Sequence, residues 1–272
     1  MLQELQAEFR AHARAVTQDE IDFYRKNGWV HLKALIPEAE AAAILREIDR
    51  QRGGGRPGFA HGDMFSAMWE NVPDPSRQSP ALRAFTHGRE LGDAAAALQG
   101  GAVRYWRDEV LLKMPADRRG GETPWHQDHP YTAFDRSGRP QFWIALMDIP
   151  PERGSLVFLS GSHKSGVLGR AFHDDSDAMK NRIASVRAEY PQSPPLHLRP
   201  GDATVHDGMT IHSAPPNVTS DPRWAYVVQF FVADALYNGA PSPVIEGLGL
   251  EVNMPFSDER FPIVGWPPNA RA

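Results

Sequence analysis

The chain of 272 residues contains no cysteine. Disulfide bonds, zinc fingers, iron–sulfur clusters and cysteine nucleophiles are therefore excluded. A metal site in this chain has to be built from histidine, aspartate or glutamate side chains. The length fits a single domain, since β-sandwiches and barrels commonly run to roughly 200–250 residues as one domain.

Long apolar runs and clusters of basic residues are also missing. No stretch of about 18 or more apolar residues occurs, so no segment is predicted to span a membrane. The formal net charge is −5, whereas nucleic acids and anionic membranes need a basic surface. The N-terminal stretch carries Glu4 and Glu8 and lacks the apolar centre of a signal peptide. We therefore expect a cytoplasmic protein with neither a nucleic-acid nor a membrane partner, and the oligomeric state stays open.

Proline, in contrast, is abundant. The 24 prolines are nearly twice the average share of about 5%, and many prolines mean many turns and loops. Short segments with strand character, separated by turn residues, dominate beyond residue 100, and such a series predicts an antiparallel sandwich or barrel. The predicted strands are Val103–Met114, Trp125–Thr132, Gln141–Asp148, Ser155–Leu159, Leu196–Leu198, Ala203–His206 and Trp224–Val232.

The first fifth of the chain has helical signals instead. Thr17 and Glu20 have the spacing of a capping box, and Gly28 is placed to end that helix. A strand is predicted over Trp29–Leu35, followed by an amphipathic helix that begins after Pro37. We expect one domain in which a helical part, about 1–52, precedes a strand-rich core, about 101–235. The segment from the glycine-rich loop to about residue 100 is ambiguous.

Three residues in the strand-rich part have the chemistry of a metal site. On a strand, residues two apart point to the same face, so His126 and Asp128 can bind one metal, and His212 from a facing strand can complete the set. Two histidines and one carboxylate are the signature of non-haem Fe(II) oxygenases, because three coordination positions stay open. Arg223 begins a later strand, and its planar guanidinium suits the carboxylate of a 2-oxo acid. A His-x-Asp pair alone is a weak signal, and a structural hydrogen-bonded pair is the alternative.

Four longer motifs carry a resemblance to a known family. They are TQDEIDFYRKNGWVHLKALIP, WHQD, FWIALMDIPPERGSLVFLSGSHKSG and GDATVHDGMTIHSAPPNVTSDPRWAYVVQFF. Together they resemble the phytanoyl-CoA dioxygenase family of Fe(II)- and 2-oxoglutarate-dependent oxygenases, and the resemblance covers most of the chain. It implies a double-stranded β-helix, which is a cupin-like jelly roll of two antiparallel sheets, with the N-terminal helices packed outside.

The resemblance also implies roles for individual residues. His126, Asp128 and His212 become the catalytic iron ligands. Arg223 becomes the anchor of the distal carboxylate of 2-oxoglutarate, and Trp143 lines the cosubstrate pocket. Two further cosubstrate contacts are expected from the strands beside it, at Lys113 and Ser213.

The implied reaction is hydroxylation of a small-molecule metabolite. The cofactors are then Fe(II), 2-oxoglutarate as cosubstrate and O₂; succinate and CO₂ are released, and ascorbate is expected to help in vitro.

The chain departs from the family pattern beside His212. Relatives often carry serine two residues after this histidine, where the present chain has Ala214, and Ser213 precedes it. Which hydroxyl, if any, assists Arg223 therefore stays open. His206 likewise stands where an aromatic residue is common.

The substrate pocket is predicted from segments that do not fit the strand pattern. Tyr131 is expected to be a pocket wall. The loop Gly53–Gly58, together with Phe65 and Trp69, and the long insertion Lys164–Pro195 are expected to close over the iron as a lid. The alternative is that Phe65 and Trp69, four residues apart, only pin a helix to the barrel.

Two other functions stay open. The same scaffold can desaturate, epimerise or form rings, and sequence does not separate these outcomes from hydroxylation. From a different class, a cupin-like isomerase or a non-catalytic metal-binding jelly roll would need neither Arg223 nor 2-oxoglutarate. The identity of the substrate stays open as well, including whether it is free or bound to a carrier or to CoA.

Overall fold

The computed structural model describes residues 12–51, 70–118 and 120–267. Its helices are α1 Gln18–Asn27, α2 Glu38–Gln51, α3 Pro80–Thr86, α4 Arg89–Gln99 and α5 Asp177–Glu189. Its strands are β1 Trp29–Leu32, β2 Glu70–Pro73, β3 Val103–Lys113, β4 Thr123–His126, β5 Pro140–Ala145, β6 Val157–Phe158, β7 Ala203–Asp207, β8 His212–Ala214, β9 Arg223–Val232 and β10 Ile263–Gly265. No helix among these residues is long and apolar enough to cross a membrane.

The strands form two antiparallel sheets. The larger sheet has seven strands in the order β1-β7-β5-β9-β3-β10, with β2 added on β3. The smaller sheet has the order β4-β8-β6. Its residues Phe158 and Ala214 share one apolar cluster with Trp143, Ala145 and Ala225 of the larger sheet. The two sheets therefore face each other, as the predicted jelly roll requires.

The larger sheet is covered on its outer face by the helices. Along β5, Phe142 and Ile144 belong to the main core with Ile44 of α2 and Phe85 of α3. Trp143 points the other way and packs with the smaller sheet. This is the alternation expected for a strand buried on both faces, and it confirms that one set of β5 side chains faces the helices and the other faces the barrel interior.

The smaller sheet is covered by the insertion that follows β6. Ile183 and Val186 of α5 pack against a cluster that contains Trp125 and Ile211. The C-terminal part of the chain closes one end of the barrel, where Trp106 is surrounded by aromatic rings. Those rings belong to Phe134, Phe231, Phe256 and Phe261.

The first helix begins and ends where the sequence predicts. The Thr17 hydroxyl accepts a hydrogen bond from the Glu20 amide, and the Glu20 carboxylate accepts one from the Thr17 amide, which completes the capping box. Gly28 then has φ +80°. A Cβ at this position would lie 2.4 Å from His163 Nδ1, so both backbone conformation and space require glycine.

Some predicted boundaries were wrong. The first strand ends at Leu32 and not at Leu35, because Ala34 has φ +45° and turns the chain. The predicted strand at Leu196–Leu198 is reduced to an isolated bridge between Ile149 and Leu198. In the ambiguous segment, the described part contains β2, α3 and α4.

A buried carboxylate ties the helical side to the larger sheet. Asp108 of β3 has no exposed surface. It accepts hydrogen bonds from the Ser76 amide and hydroxyl at 3.0 and 2.8 Å, and from the Tyr105 and Tyr226 hydroxyls at 2.6 and 2.5 Å. Burial and the adjacent Asp108 charge both raise the pKa values of Tyr105 and Tyr226. The two hydroxyls therefore stay protonated and act as donors.

We expect the substitution Asp108→Leu to destabilise the fold strongly. It removes the acceptor of three hydroxyl groups and one amide in the core. The Ser76 and Tyr105 hydroxyls, 3.1 Å apart, can still pair with each other, but each group left without a partner costs about 1–3 kcal/mol. Urea unfolding should show a loss of roughly 3 kcal/mol or more, whereas Tyr226→Phe, which removes one donor, should lose about 1–2 kcal/mol. Asp234→Leu on the surface is the control. Equal stability of the Asp108 and Asp234 variants would contradict the proposed role of this network.

Candidate active site

A cavity of about 570 Å³ lies between the two sheets. This volume is within the range of small-molecule sites, which is about 300–1,000 Å³. The smaller sheet contributes His126, His212 and Ala214 to its wall. The larger sheet contributes side chains from the inner face of β3, β5 and β9, among them Glu109, Trp143 and Gln229.

The structure brings the three predicted metal ligands together in this cavity. Among the described residues, His126, Asp128 and His212 are the one group of three such side chains whose ligand atoms lie within 4.8 Å of one another. His126 ends β4 and pairs directly with His212, which begins β8. The neighbouring strands therefore bring the two imidazoles to the same face of the smaller sheet, and Asp128 joins them from the following turn.

Asp128 reaches the site in a different way from the one predicted. The expected strand Trp125–Thr132 ends at His126, and Asp128 has helical dihedrals, φ −80° and ψ −31°, before the single turn His129–Tyr131. Pro130 lies in this turn and has no amide hydrogen for a strand ladder. A turn, and not the alternation of a strand, therefore places the carboxylate beside His126.

Both imidazoles present the same nitrogen to the cavity. His126 Nδ1 lies 2.7 Å from the Pro124 carbonyl oxygen, and His212 Nδ1 lies 3.0 Å from that of Thr210. Each Nδ1 therefore donates its proton to the backbone, which leaves Nε2 bare for a metal, the usual arrangement for histidine ligands. Burial, together with the positive charges of neighbouring histidines, lowers the pKa of His212 far below its usual value.

Asp128 is held in its charged form. Burial by itself would raise the pKa of this carboxyl, but its charged and hydrogen-bonding neighbours, among them the Arg139 guanidinium and His206, outweigh it and hold the pKa well below its usual range. Two neutral imidazoles and one carboxylate, gathered on one side of a buried cavity, are a donor set that suits Fe(II) and leaves open positions toward the cavity. The residues therefore fit the ion that the sequence predicted.

The other end of the cavity contains a buried arginine without an acidic partner. Arg223 is 2% exposed, and no carboxylate of the described residues lies within 4 Å of it. Its Nη1 donates to the Gly154 carbonyl oxygen at 2.5 Å, and its guanidinium carbon lies 4.9 Å from the centre of the Trp143 ring. Within the part of the chain that the structure describes, Arg223 Nε and Trp143 Nε1 have no hydrogen-bond partner. Burial lowers the pKa of Arg223 to about 9.

An unpaired buried cation is costly unless an anion binds to it. The arrangement at Arg223 therefore fits a ligand carboxylate, as the predicted cosubstrate anchor requires.

Lys113 and Ser213 lie beside the cavity and do not line it. Lys113 is opposite Arg223 in the sheet, and its Nζ donates to Pro215, Thr123 and Ala214 oxygens at 2.8, 3.2 and 3.3 Å. Burial and then the charge of Arg223 lower the pKa of Lys113 to about 6. Ser213 lies on β8 between His212 and Ala214, which both line the cavity, so its side chain points to the opposite face.

The predicted substrate-pocket residues have different outcomes. Tyr131 lines the cavity. Phe65 and Trp69, as well as the loop Gly53–Gly58, lie outside the described residues. The insertion Lys164–Pro195 does reach the cavity. Its residue Phe172 lines the cavity, and the centre of the Phe172 ring is 4.2 Å from that of the His126 ring. The Phe172 amide donates to the Tyr131 hydroxyl at 2.9 Å.

Sequence reasoning missed several polar residues of the cavity wall. Among them are Arg107, Glu109, Arg139 and Gln229. A period of two residues back from Trp143 gives Gln141 and then Arg139, so the strand alternation already applied to Trp143 was the signal that identifies Arg139. Phe172, in contrast, lies in an irregular segment where no periodicity points to the cavity.

Comparison with known proteins identifies relatives of this architecture. The family model "Phytanoyl-CoA dioxygenase (PhyH)" matches residues 24–225. A methylphosphonate hydroxylase from Gimesia maris is 25% identical over 76% of this chain and 78% of its own length.

Two solved structures from nogalamycin biosynthesis are similar over nearly their whole length. The non-haem alpha-ketoglutarate-dependent carbocyclase SnoK is 25% identical, with a TM-score of 0.78 over 92% of this chain and 96% of its own. The epimerase SnoN, solved with Fe³⁺, alpha-ketoglutarate and a nogalamycin compound, is 26% identical, with a TM-score of 0.74 over 90% of this chain and 96% of its own.

We expect a divalent metal to stabilise the protein through the three ligands. A ligand that binds only the folded state raises the melting temperature, so Fe(II) under argon, or Mn(II) in air, should raise that of the wild type. Asp128→Ala and His212→Ala should remove this increase, because each deletes one ligand atom. His197→Ala, which removes an exposed histidine elsewhere, should keep it. An undiminished metal-dependent increase in both ligand variants would contradict the assignment.

Proposed function

The chain belongs to the phytanoyl-CoA dioxygenase family, and we propose that it is an Fe(II)- and 2-oxoglutarate-dependent oxygenase that hydroxylates a small polar molecule. The observation that carries the proposal is the pairing of two features in one cavity. His126, Asp128 and His212 provide an iron-type donor set, and Arg223 provides a buried guanidinium without an acidic partner among the described residues. A binder of metal alone would have no use for the second feature.

In this proposal the chain's own residues bind and orient the reactants. His126, Asp128 and His212 hold the ion, and Arg223 binds the distal carboxylate of 2-oxoglutarate through two N–H groups, as guanidinium groups commonly do. Trp143 stacks under that guanidinium and limits its movement. Bound Fe(II) supplies the centre at which O₂ and 2-oxoglutarate react to give succinate, CO₂ and an oxidised substrate. Ascorbate as a helpful reductant and a cytoplasmic location belong to the same proposal.

The substrate is proposed to be polar because charged and amide side chains line part of the cavity wall. Arg107 Nε lies 3.8 Å from Asp74 Oδ1, and Arg107 Nη2 lies 3.7 Å from Glu109 Oε2. Positive and negative side chains are therefore neighbours there. Asn71 Oδ1 has no hydrogen-bond partner among the described residues, and Asn71 lines the cavity. A hydroxyl or amine group of a substrate can donate to such an acceptor, whereas an aliphatic chain leaves it unsatisfied. The Gimesia relative is likewise named for a small polar substrate.

A second candidate outcome is reaction at a C–H bond of the substrate without insertion of oxygen. It is favoured by the two similar structures from nogalamycin biosynthesis, since one is named a carbocyclase and the other an epimerase. Both outcomes use the same ion and the same cosubstrate. They differ in the product, because hydroxylation adds one oxygen atom, ring closure removes two hydrogen atoms, and epimerisation leaves the mass unchanged.

The proposed function is tested by succinate formation. With Fe(II), ascorbate and 2-oxoglutarate, the wild type should release succinate slowly without substrate and faster with a suitable one. A panel that contains polyols, amino alcohols, small phosphonates and acyl-CoA esters should give stimulation by one of the polar classes, with a product heavier by one oxygen atom. No succinate under any condition would contradict the oxygenase. Stimulation by acyl-CoA alone would contradict the polar substrate, and a product of another mass would replace hydroxylation by the second candidate.

We further expect Arg223→Gln to raise the requirement for the cosubstrate. Loss of a buried contact between a cation and a carboxylate costs about 2–5 kcal/mol. The cosubstrate concentration that gives the half-maximal rate should therefore rise about thirtyfold or more. Metal binding should persist, because Arg223 contacts none of the three ligands. Arg199→Gln, at an exposed position, is the matched control. An unchanged half-maximal concentration in the Arg223 variant would rule out its role as the anchor.

A further inference from the structure

The two oxygen atoms of Asp128 have different neighbours. Oδ1 lies 3.6 Å from His126 Nε2, on the side of the other metal ligands. Oδ2 lies 3.2 Å from His206 Nε2 and 3.6 Å from Arg139 Nη1. Because Asp128 lies in a turn and not on a strand, no sheet ladder orients its side chain. The orientation of the carboxylate therefore depends on His206 and Arg139.

His206 is completely buried on β7. A carboxylate oxygen is an acceptor, so His206 Nε2 has to carry the proton of this hydrogen bond. His206 Nδ1 is then the bare nitrogen, and it has no partner among the described residues. The protein thus leaves one nitrogen of a buried ring unsatisfied while the other is directed at Asp128.

The neighbouring amide is consistent with this tautomer after one adjustment. Gln141 Nε2 lies 3.3 Å from His206 Nε2, which would place two donors against each other, and Gln141 Oε1 has no partner in the described ranges. The oxygen and nitrogen of a side-chain amide are assigned from the hydrogen-bond network. A half-turn of the amide places Gln141 Oε1 at the His206 N–H, which then serves two acceptors, Gln141 and Asp128.

Arg139 is fixed independently of Asp128. Its carbonyl oxygen accepts from the Gly208 amide at 3.0 Å, and its Nη2 donates to Gln229 Oε1. Gln229 Nε2 donates to Glu109 Oε1 at 2.7 Å, and Asn71 Nδ2 donates to Glu109 Oε2 at 2.6 Å. This chain of hydrogen bonds crosses the cavity wall and ends at the guanidinium that faces Asp128. The position of the Arg139 guanidinium is therefore fixed by contacts other than the one with Asp128.

We propose that His206 and Arg139 are positioning residues that hold Oδ2 of Asp128 away from the metal, so that Asp128 binds the metal through Oδ1 alone. The inference rests on the proposed function and deepens it. With one atom from each ligand, three of six positions stay open, two for the 2-oxo acid and one for O₂. If both carboxylate oxygens bound, only two positions would remain. The contacts to Oδ2 thus preserve the position that the oxygenase chemistry needs.

The test compares variants that keep or remove the N–H donors. His206→Phe keeps an aromatic ring and removes the donor, His206→Gln keeps an amide N–H, and Arg139→Met keeps the aliphatic stem and removes the guanidinium. Thr204→Val is the control, because Thr204 lies two residues from His206 on the same face of β7, and no hydrogen bond joins it to Asp128. Circular dichroism and melting curves establish which variants fold.

The first readout is the affinity for Mn(II) alone, measured from the electron paramagnetic resonance signal of the free ion. Loss of a group that orients a metal ligand typically costs about 10–100-fold in metal affinity. We therefore expect His206→Phe and Arg139→Met to bind Mn(II) about tenfold or more weakly, and His206→Gln and Thr204→Val to bind nearly as the wild type does. Wild-type affinity in folded His206→Phe and Arg139→Met would overturn the inference, as would equal losses in His206→Gln and His206→Phe.

The second readout is 2-oxoglutarate binding at saturating Mn(II), by calorimetry. If a released Oδ2 occupies a metal position, the affinity for 2-oxoglutarate should fall several-fold in His206→Phe even though the metal site is full. A purely structural role would leave this affinity unchanged, and that result would contradict the inference. If His206→Phe does not fold, Arg139→Met decides both readouts.

The wild type separates this inference from the proposed function. Failure of the wild type to bind Mn(II), or equally tight binding by Asp128→Ala, would contradict the metal site itself. If the wild type binds Mn(II) and Asp128→Ala does not, but the His206 and Arg139 variants bind Mn(II) and 2-oxoglutarate as the wild type does, only the role of Oδ2 is contradicted.

Discussion

The structure depends on the constraint that charged side chains inside a jelly roll have to satisfy one another, because little water reaches them. The inner face of the larger sheet carries Arg107, Glu109, Arg139 and Arg223, together with the amides of Gln141 and Gln229. Around Gln229, a side-chain amide joins two of these charged groups, because it accepts a hydrogen bond from Arg139 and donates one to Glu109. At the start of β9, Arg223 has a carbonyl oxygen and an aromatic ring as partners and no carboxylate among the described residues. This difference between the two ends identifies where a ligand has to supply charge.

The same constraint explains the support behind Arg223. Lys113 lies directly opposite it in the sheet, and two cations in one buried region would repel each other. Lys113 is turned toward three oxygen atoms of the chain around β4 and β8, and burial and the charge of Arg223 lower its pKa. Asn217 completes the support, because its amide donates to the Lys113 and Asp221 carbonyl oxygens. Lys113 and Asn217 therefore stabilise the turn that precedes Arg223, and the Arg223 guanidinium faces the cavity.

Sequence alone predicted the parts of the site that depend on residue type, and it failed where backbone path decides. The ligand types and their order along the chain were enough to propose His126, Asp128 and His212, and the structure gathers them. The reason given for His126 and Asp128 was wrong, since a turn at Pro130 replaces the strand. Strand alternation predicts that Trp143 faces the barrel interior, and the same period of two places Arg139 on that face as well. Phe172 could not be found, because an irregular segment has no period that relates a residue to a distant cavity. The hydroxyl of Ser213 was proposed from its neighbour in sequence, but β8 turns it to the other face.

The spacing of side chains along β9 sets the shape of the ligand that the cavity can hold. Arg223 and Gln229 both point inward, because they are six residues apart and a strand alternates with a period of two. Between them, on the same face, lie Ala225 and Val227, and Ala145 is paired with Ala225 across the sheet. These side chains are buried in one apolar cluster with Trp143. Beyond them, the Gln229 amide and Arg139 lead to the carboxylate of Asp128. One strand therefore positions both the buried guanidinium of Arg223 and the amide that supports Arg139, so the spacing between these two parts of the cavity wall is set by strand geometry. A ligand that contacts both parts has to match this spacing.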